Sequence, residues 1–107
     1  MKKYKARLLQ PTSESITHHA FVDEVGGDWS RESSGRYVYI SEQPFDIDKV
    51  YIPSYINGNW GGMYSDYNGV LRQLLVSDGT IRLEVNENGI ASDGFINNFP
   101  IEFEVYP

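Results

Sequence analysis

Apolar residues recur at every second position along most of this chain. In the stretch 100–107 (PIEFEVYP), Ile101, Phe103 and Val105 fall on one side, and Glu102, Glu104 and Tyr106 on the other. That period of two places one face of a strand on a core and the other in water, whereas a helix would scatter the same apolar set around its circumference. The segment 80–86 (TIRLEVN) repeats the pattern with Ile81, Leu83 and Val85 inward. It follows 70–77 (VLRQLLVS) through Asp78-Gly79, a pair suited to a two-residue turn with positive φ at both positions, so the two runs predict a hairpin. Further strands are predicted at 3–9, 16–24, 28–32, 36–41 and 49–53, punctuated by Gly26-Gly27 and Ser33-Ser34-Gly35. No segment has a convincing helical period. Short strands with a turn signal about every ten residues predict an all-β chain, folded as a single antiparallel β-sandwich of about seven to eight strands. One domain spans 1–107.

Two segments depart from the alternation. One is 54–69. The other, 86–99 (NENGIASDGFINNF), is expected to cross from a sheet edge to the last strand, with Ile90, Phe95 and Ile96 tucked in as anchors.

Charge and composition narrow the function classes. The formal net charge of -6 argues against nucleic acid, whose phosphates need a basic face, and against an anionic membrane. The absence of cysteine removes disulfides, thiolate metal sites and a Cys nucleophile. Lys5, Arg7 and Pro11 interrupt the N-terminal stretch, leaving no apolar core for a signal peptide, so synthesis in the cytoplasm without a leader is expected.

Candidate chemistry is sparse. His18 and His19 are adjacent on a predicted strand and so face opposite sides of the sheet, unable to chelate one ion. His18 shares its predicted face with Ile16, Ala20 and Val22, which suits a half-buried, hydrogen-bonded histidine. Asp46 and Asp48 have the D-x-D look of a calcium loop, but the glycine turn and distal acid of such a loop are missing. There is no G-x-S-x-G nucleophile motif and no phosphate loop. The expectation is a non-enzymatic protein with no cofactor and no metal.

The remaining signal is 55–69, rich in glycine and asparagine yet carrying several aromatics. Tyr55, Asn57, Asn59, Trp60, Tyr64, Asp66 and Tyr67 are the candidate contact residues. Rings with Asn and Asp suit a protein partner, where aromatics give contact area at low entropy cost, or a sugar, on whose faces they stack. In a third reading Trp60 and Met63 fold over an open edge of the sandwich and are buried within the domain.

The stretches FVDEVGGDWSRESSGRYVYIS (21–41) and DGTIRLEVNENGIASDGFINNFPIEFEVYP (78–107), with the opening YKARLLQ, resemble a group of small β proteins of Bacteroidetes and their phages. Those proteins occur among phage structural modules. The resemblance rests on turns and strand edges and transfers no functional residue. It implies a virion component, decorating a capsid or built into a head or tail fibre, and hence a location in the virion. The partners expected are other protein subunits, copies of this chain included. The alternative is a carbohydrate-binding module that uses 55–69 to hold a surface glycan.

Overall fold

A computed structural model describes residues 1–12, 15–42, 45–52, 63–65, 70–77 and 79–107, with 63–65 described by backbone alone. The alternation becomes strands wherever it was clean. β1 (Lys2–Thr12) buries Tyr4, Ala6, Leu8 and Gln10 and exposes the residues between them. β8 (Thr80–Glu87) buries Ile81, Leu83 and Val85. The others are β2 (Ser15–Asp23), β3 (Gly27–Ser33), β4 (Arg36–Ser41), β5 (Val50–Tyr51), β6 (Met63–Ser65), β7 (Val70–Ser77), β9 (Ile90–Ala91) and β10 (Phe99–Val105). All are paired antiparallel.

Two sheets result. One has the order β2-β1-β10-β5; the other has β3-β4-β8-β7-β6, with β9 added on β8. The chain is therefore the expected all-β sandwich. The ten strands among the described residues exceed the expected seven to eight because β6 and β9 are short pairings inside segments without alternation. The β7–β8 hairpin closes as predicted, with Ser77 opposite Thr80 and Gly79 at φ +78°.

Three expectations need correction. The strand predicted at 49–53 is only the pair Val50–Tyr51, because Ile47–Lys49 makes a 3-10 turn just before it. The 86–99 segment leaves from β8, an interior strand between β4 and β7, not from a sheet edge. Within it Ile96 is buried and Phe95 packs against the core, but Ile90 is 71% exposed. Ile90 sits at the tip of the short β8–β9 hairpin, opposite Glu87 and next to the Asn88-Gly89 turn.

The core lies between the sheets, largely aliphatic, with an aromatic cluster at its centre. Tyr4 of β1 and Phe103 of β10 face Tyr39 of β4, with ring centroids 4.8 Å apart for Tyr4–Tyr39 and 5.4 Å for Tyr39–Phe103. Trp29 of β3 closes the cluster, 5.5 Å from Tyr39. Rings at these separations add attraction beyond the area they remove from water.

The β3–β4 turn shows how closely the ends are packed. Gly35 has φ +68°, and a Cβ there would lie 2.4 Å from the Val85 carbonyl oxygen and 2.6 Å from the Ser92 nitrogen. Gly35→Ala is expected to destabilise the fold by about 1–3 kcal/mol through strained backbone and displaced β8–β9 contacts. The denaturation midpoint measures this; an unchanged midpoint would mean that the turn does not pack as described.

Candidate functional site

The sequence-predicted contact residues fall mainly outside the described part of the chain. Tyr55, Asn57, Asn59, Trp60, Asp66 and Tyr67 lie outside the described residues. Tyr64 is placed by backbone in β6, opposite Arg72 of β7. The site chemistry that the structure does describe lies elsewhere, in two polar clusters and one sheet surface.

The first cluster surrounds Asp93, between β9 and β10. Arg31 of β3 donates to both its oxygens, from Nε at 3.2 Å and from an Nη at 2.7 Å. The Gly35 amide donates at 3.0 Å, and the Gln10 side-chain amide at 3.1 Å. The Tyr37 hydroxyl has one proton for two acceptors, Gln10 Oε1 at 2.6 Å and Asp93 Oδ1 at 2.9 Å. Gln10 Oε1 also accepts from the Gly94 amide at 2.9 Å. The Arg31 guanidinium, with the other donors, holds the Asp93 carboxyl well below the ordinary aspartate range. Burial pushes the Tyr37 phenol above its ordinary value, and Asp93 pushes the same way. These six residues tie both sheets to the 86–99 crossing.

The second cluster lies in the core between β1, β2 and β3. Trp29 Nε1 donates to the Tyr4 hydroxyl oxygen at 2.8 Å, and the same oxygen lies 2.6 Å from His18 Nδ1. The other ring nitrogen of His18, Nε2, lies 4.0 Å from Asp28. Burial raises the Tyr4 phenol, while the Trp29 hydrogen bond acts in the other direction. Beside it the Gly27 amide donates to the Tyr39 hydroxyl at 2.8 Å, which donates to Asp23 at 3.1 Å. His18 is thus the half-buried, hydrogen-bonded histidine expected, but its predicted face breaks after Ala20. A bulge at Phe21 places Val22 opposite outward-facing Lys5.

Among the described residues no buried side-chain nitrogen or oxygen lacks a partner, and no three acidic or histidine side chains gather at metal distance. Asp46 stands ahead of the 3-10 turn, 3.8 Å from Lys49 across an exposed pair.

The third feature is the outer face of the four-stranded sheet. Phe21 is 58% exposed and meets His19 edge-on at 4.9 Å. Leu9 is exposed on β1. At the other edge Tyr51 of β5 stands opposite Glu104, and the exposed Tyr106 donates to the same carboxylate at 2.9 Å. Between the two apolar margins run a basic row, Lys3, Lys5 and Arg7, and an acidic row, Glu102 and Glu104, with Lys5 opposite Glu102 and Lys3 opposite Glu104. Phe21, Lys5, Arg7, Pro100 and Glu102 line a shallow depression of about 90 Å³. This surface is suited to broad contact with a partner. The β2 alternation, which puts His19 and Phe21 on one face and His18 on the other, already pointed outward for Phe21. The Asp93 cluster had no sequence signal, because its members are up to 84 positions apart.

Asp93→Asn keeps the shape but removes the charge that faces Arg31, and is expected to cost about 1–3 kcal/mol at neutral pH. Because the folded carboxyl titrates below its unfolded value, its contribution is full above pH ~4 and fades as pH falls below it. Melting temperatures of the two proteins are thus expected to converge on acidification; a gap constant with pH would remove Asp93 from the ionised role.

The phenols of Tyr4, Tyr37 and Tyr39 are all raised, chiefly by burial. Their contribution is full below the unfolded phenol value of about 10 and is lost as pH rises beyond it. In an alkaline titration followed by phenolate absorbance, three of the chain's eight tyrosines are expected to ionise only together with unfolding. Smooth titration of all eight in the folded state would contradict the burial.

No protein-family model matches this chain, and the curated proteins and the solved structures likewise give no match.

Proposed function

We propose that this domain is a non-enzymatic structural and adhesion module, a component of a phage particle that works through protein–protein contacts. The observation that carries the reading is the outer face of the four-stranded sheet. Phe21, Leu9, Tyr51 and Tyr106 stand exposed around rows of lysine, arginine and glutamate that largely neutralise one another. Exposed aromatics in a locally neutral field are the composition of a contact patch, with rings as anchors and charges setting register. The interior supports the same reading. Asp93, Arg31, His18 and the three buried tyrosines spend their hydrogen bonds on one another and on turn amides, which is what a rigid carrier of surfaces needs. The resemblance of 21–41 and 78–107 to phage structural modules supplies the particle as the setting.

Particles purified from cells expressing the chain are expected to contain it at a fixed ratio to their other structural proteins, by quantitative mass spectrometry. Phe21→Glu is expected to lower that ratio. Loss of one anchoring aromatic is worth on the order of 2 kcal/mol, about thirtyfold in affinity. The melting temperature should hold, since Phe21 lies outside the core. Absence from particles when the chain is abundant in the cells would overturn the virion assignment. Selective, saturable capture of one sugar on a glycan array would favour the carbohydrate-binding module instead.

A further inference from the structure

The two ends of the sandwich differ in a way that the sheet surface does not explain. At one end Ile90 is the most exposed large apolar side chain among the described residues, at 71%. It projects from a hairpin whose turn, Asn88-Gly89, has φ +52° and +84°. That hairpin is held firmly at its base. Asn86 pairs with Ala91 and Glu87 with Ile90, the Ser92 amide donates to the Val85 carbonyl at 3.0 Å, and the Asp93 cluster follows directly. An apolar residue on a rigid support loses little freedom when it is buried by a partner.

At the other end is a depression of about 170 Å³ with mainly apolar walls, formed by Val25, Phe45 and Val105 with Met1, Tyr106 and Pro107 around its mouth. Its volume is of the order of a cavity that accepts a benzene-sized group, so one isoleucine side chain fits. The register places the two features at opposite ends. β8 runs from Thr80, beside Ile40 near the depression, to Glu87 at the Ile90 hairpin, and β1 runs from Lys2 to Gln10 in the same direction. Lys2 carries the charged side chain on the wall of the depression, and Glu87 carries the charged side chain in 86–92.

We propose that copies of this chain associate head to tail, the Ile90 tip of one seating in the Val25–Phe45–Val105 depression of the next with Glu87 beside Lys2. The inference rests on the reading of the domain as a protein-contact module and names its partner, a second copy. A knob and a hole at opposite ends cannot close on themselves by a two-fold axis; they generate strings. The contact is small compared with stable interfaces of about 1,200 Å² or more, so it is weak in solution and gains strength where copies are already concentrated on a scaffold.

Sedimentation and light scattering from micromolar to millimolar protein test this. The average mass of the wild type is expected to rise steadily with concentration, without a plateau at the dimer. Ile90→Asp, on an exposed tip and so harmless to the fold, is expected to weaken association at least tenfold. Ser41→Phe, which fills the hole, should do the same. A mixture of the two keeps one intact knob and one intact hole, and is expected to stop at 1:1 dimers. Should Ser41→Phe fail to fold, the charges carry the test: Lys2→Glu and Glu87→Lys each weaken association, and the double variant restores it. A monomeric wild type at millimolar concentration, or Ile90→Asp associating normally, overturns the inference. If association persists in Ile90→Asp but is lost in Phe21→Glu, the end-to-end contact falls while the contact-module reading stands. A chain that is absent from particles yet captures a defined sugar removes that reading instead.

Discussion

Burying a phenol is favourable only if its hydroxyl finds a partner in the same place. Among the described residues this fold buries three: Tyr4, Tyr37 and Tyr39 are each 0% exposed. Much of the architecture beyond the strands follows from finding partners for those three hydroxyls. Tyr37 and Tyr39 point inward from the same strand, two positions apart, and their hydroxyls serve opposite ends of the sandwich. Tyr37 meets Gln10 and Asp93, which fixes the crossing after β9. Tyr39 meets the Gly27 amide and Asp23, which fixes the corner where the chain passes from one sheet to the other. Tyr4 takes the middle, between Trp29 and His18. The loops at both ends are thus held by groups that the core itself requires.

That arrangement decides what is left for function. A polar group engaged in the interior is unavailable for chemistry at the surface, and the ionised Asp93 is surrounded by four donors. The outer faces carry no such obligation. On the six-stranded side, Arg82 and Glu32 form a two-bond pair at 2.6 and 3.2 Å, and Val38, although it faces outward, is only 5% exposed between Ser30 and Arg82. On the four-strand side the charges lie in facing rows and the apolar residues at the margins stay open. That larger sheet still leaves Ile40 of β4 53% exposed, but among the described residues the four-stranded sheet gathers more open apolar groups, Phe21, Leu9 and Tyr51, around its charged rows.

Much of this was legible in the sequence. Ile101, Phe103 and Val105, or Ile81, Leu83 and Val85, leave no other period to choose, and Asp78-Gly79 between two such runs admits little but a hairpin. What could not be read has physical causes. A bulge adds one residue without any compositional mark, so the change of side at Val22 was hidden. Ile90 looked like an anchor because isoleucine usually is one; that it instead ends a two-residue pairing at a tight turn, in water, has no mark in the local pattern. The Asp93 cluster joins residues far apart in sequence, and an acid in a Ser-Asp-Gly turn reads locally as solvated. The aromatic loop that dominated the sequence reading lies, apart from the backbone of Met63–Ser65, outside the described residues, so its role rests on composition.

The sheet edges point the same way as the surfaces. A free edge strand invites pairing with a neighbouring chain, and β2 and β3 are edges of their sheets. Both are interrupted. The register of β2 slips at Phe21, and that of β3 slips between Arg31 and Ser33, beside charged Glu32. A bulge bends and twists a strand so that a straight partner cannot follow it far, and charge on the same stretch penalises burial. Strand addition along these edges is therefore disfavoured by the backbone itself. At these two edges contact falls to side chains, and the described surface offers them at the open face around Phe21 and at the hairpin tip of Ile90. Both hold an apolar group in water on a support that the interior keeps rigid, and neither offers a strand ladder that could propagate without limit.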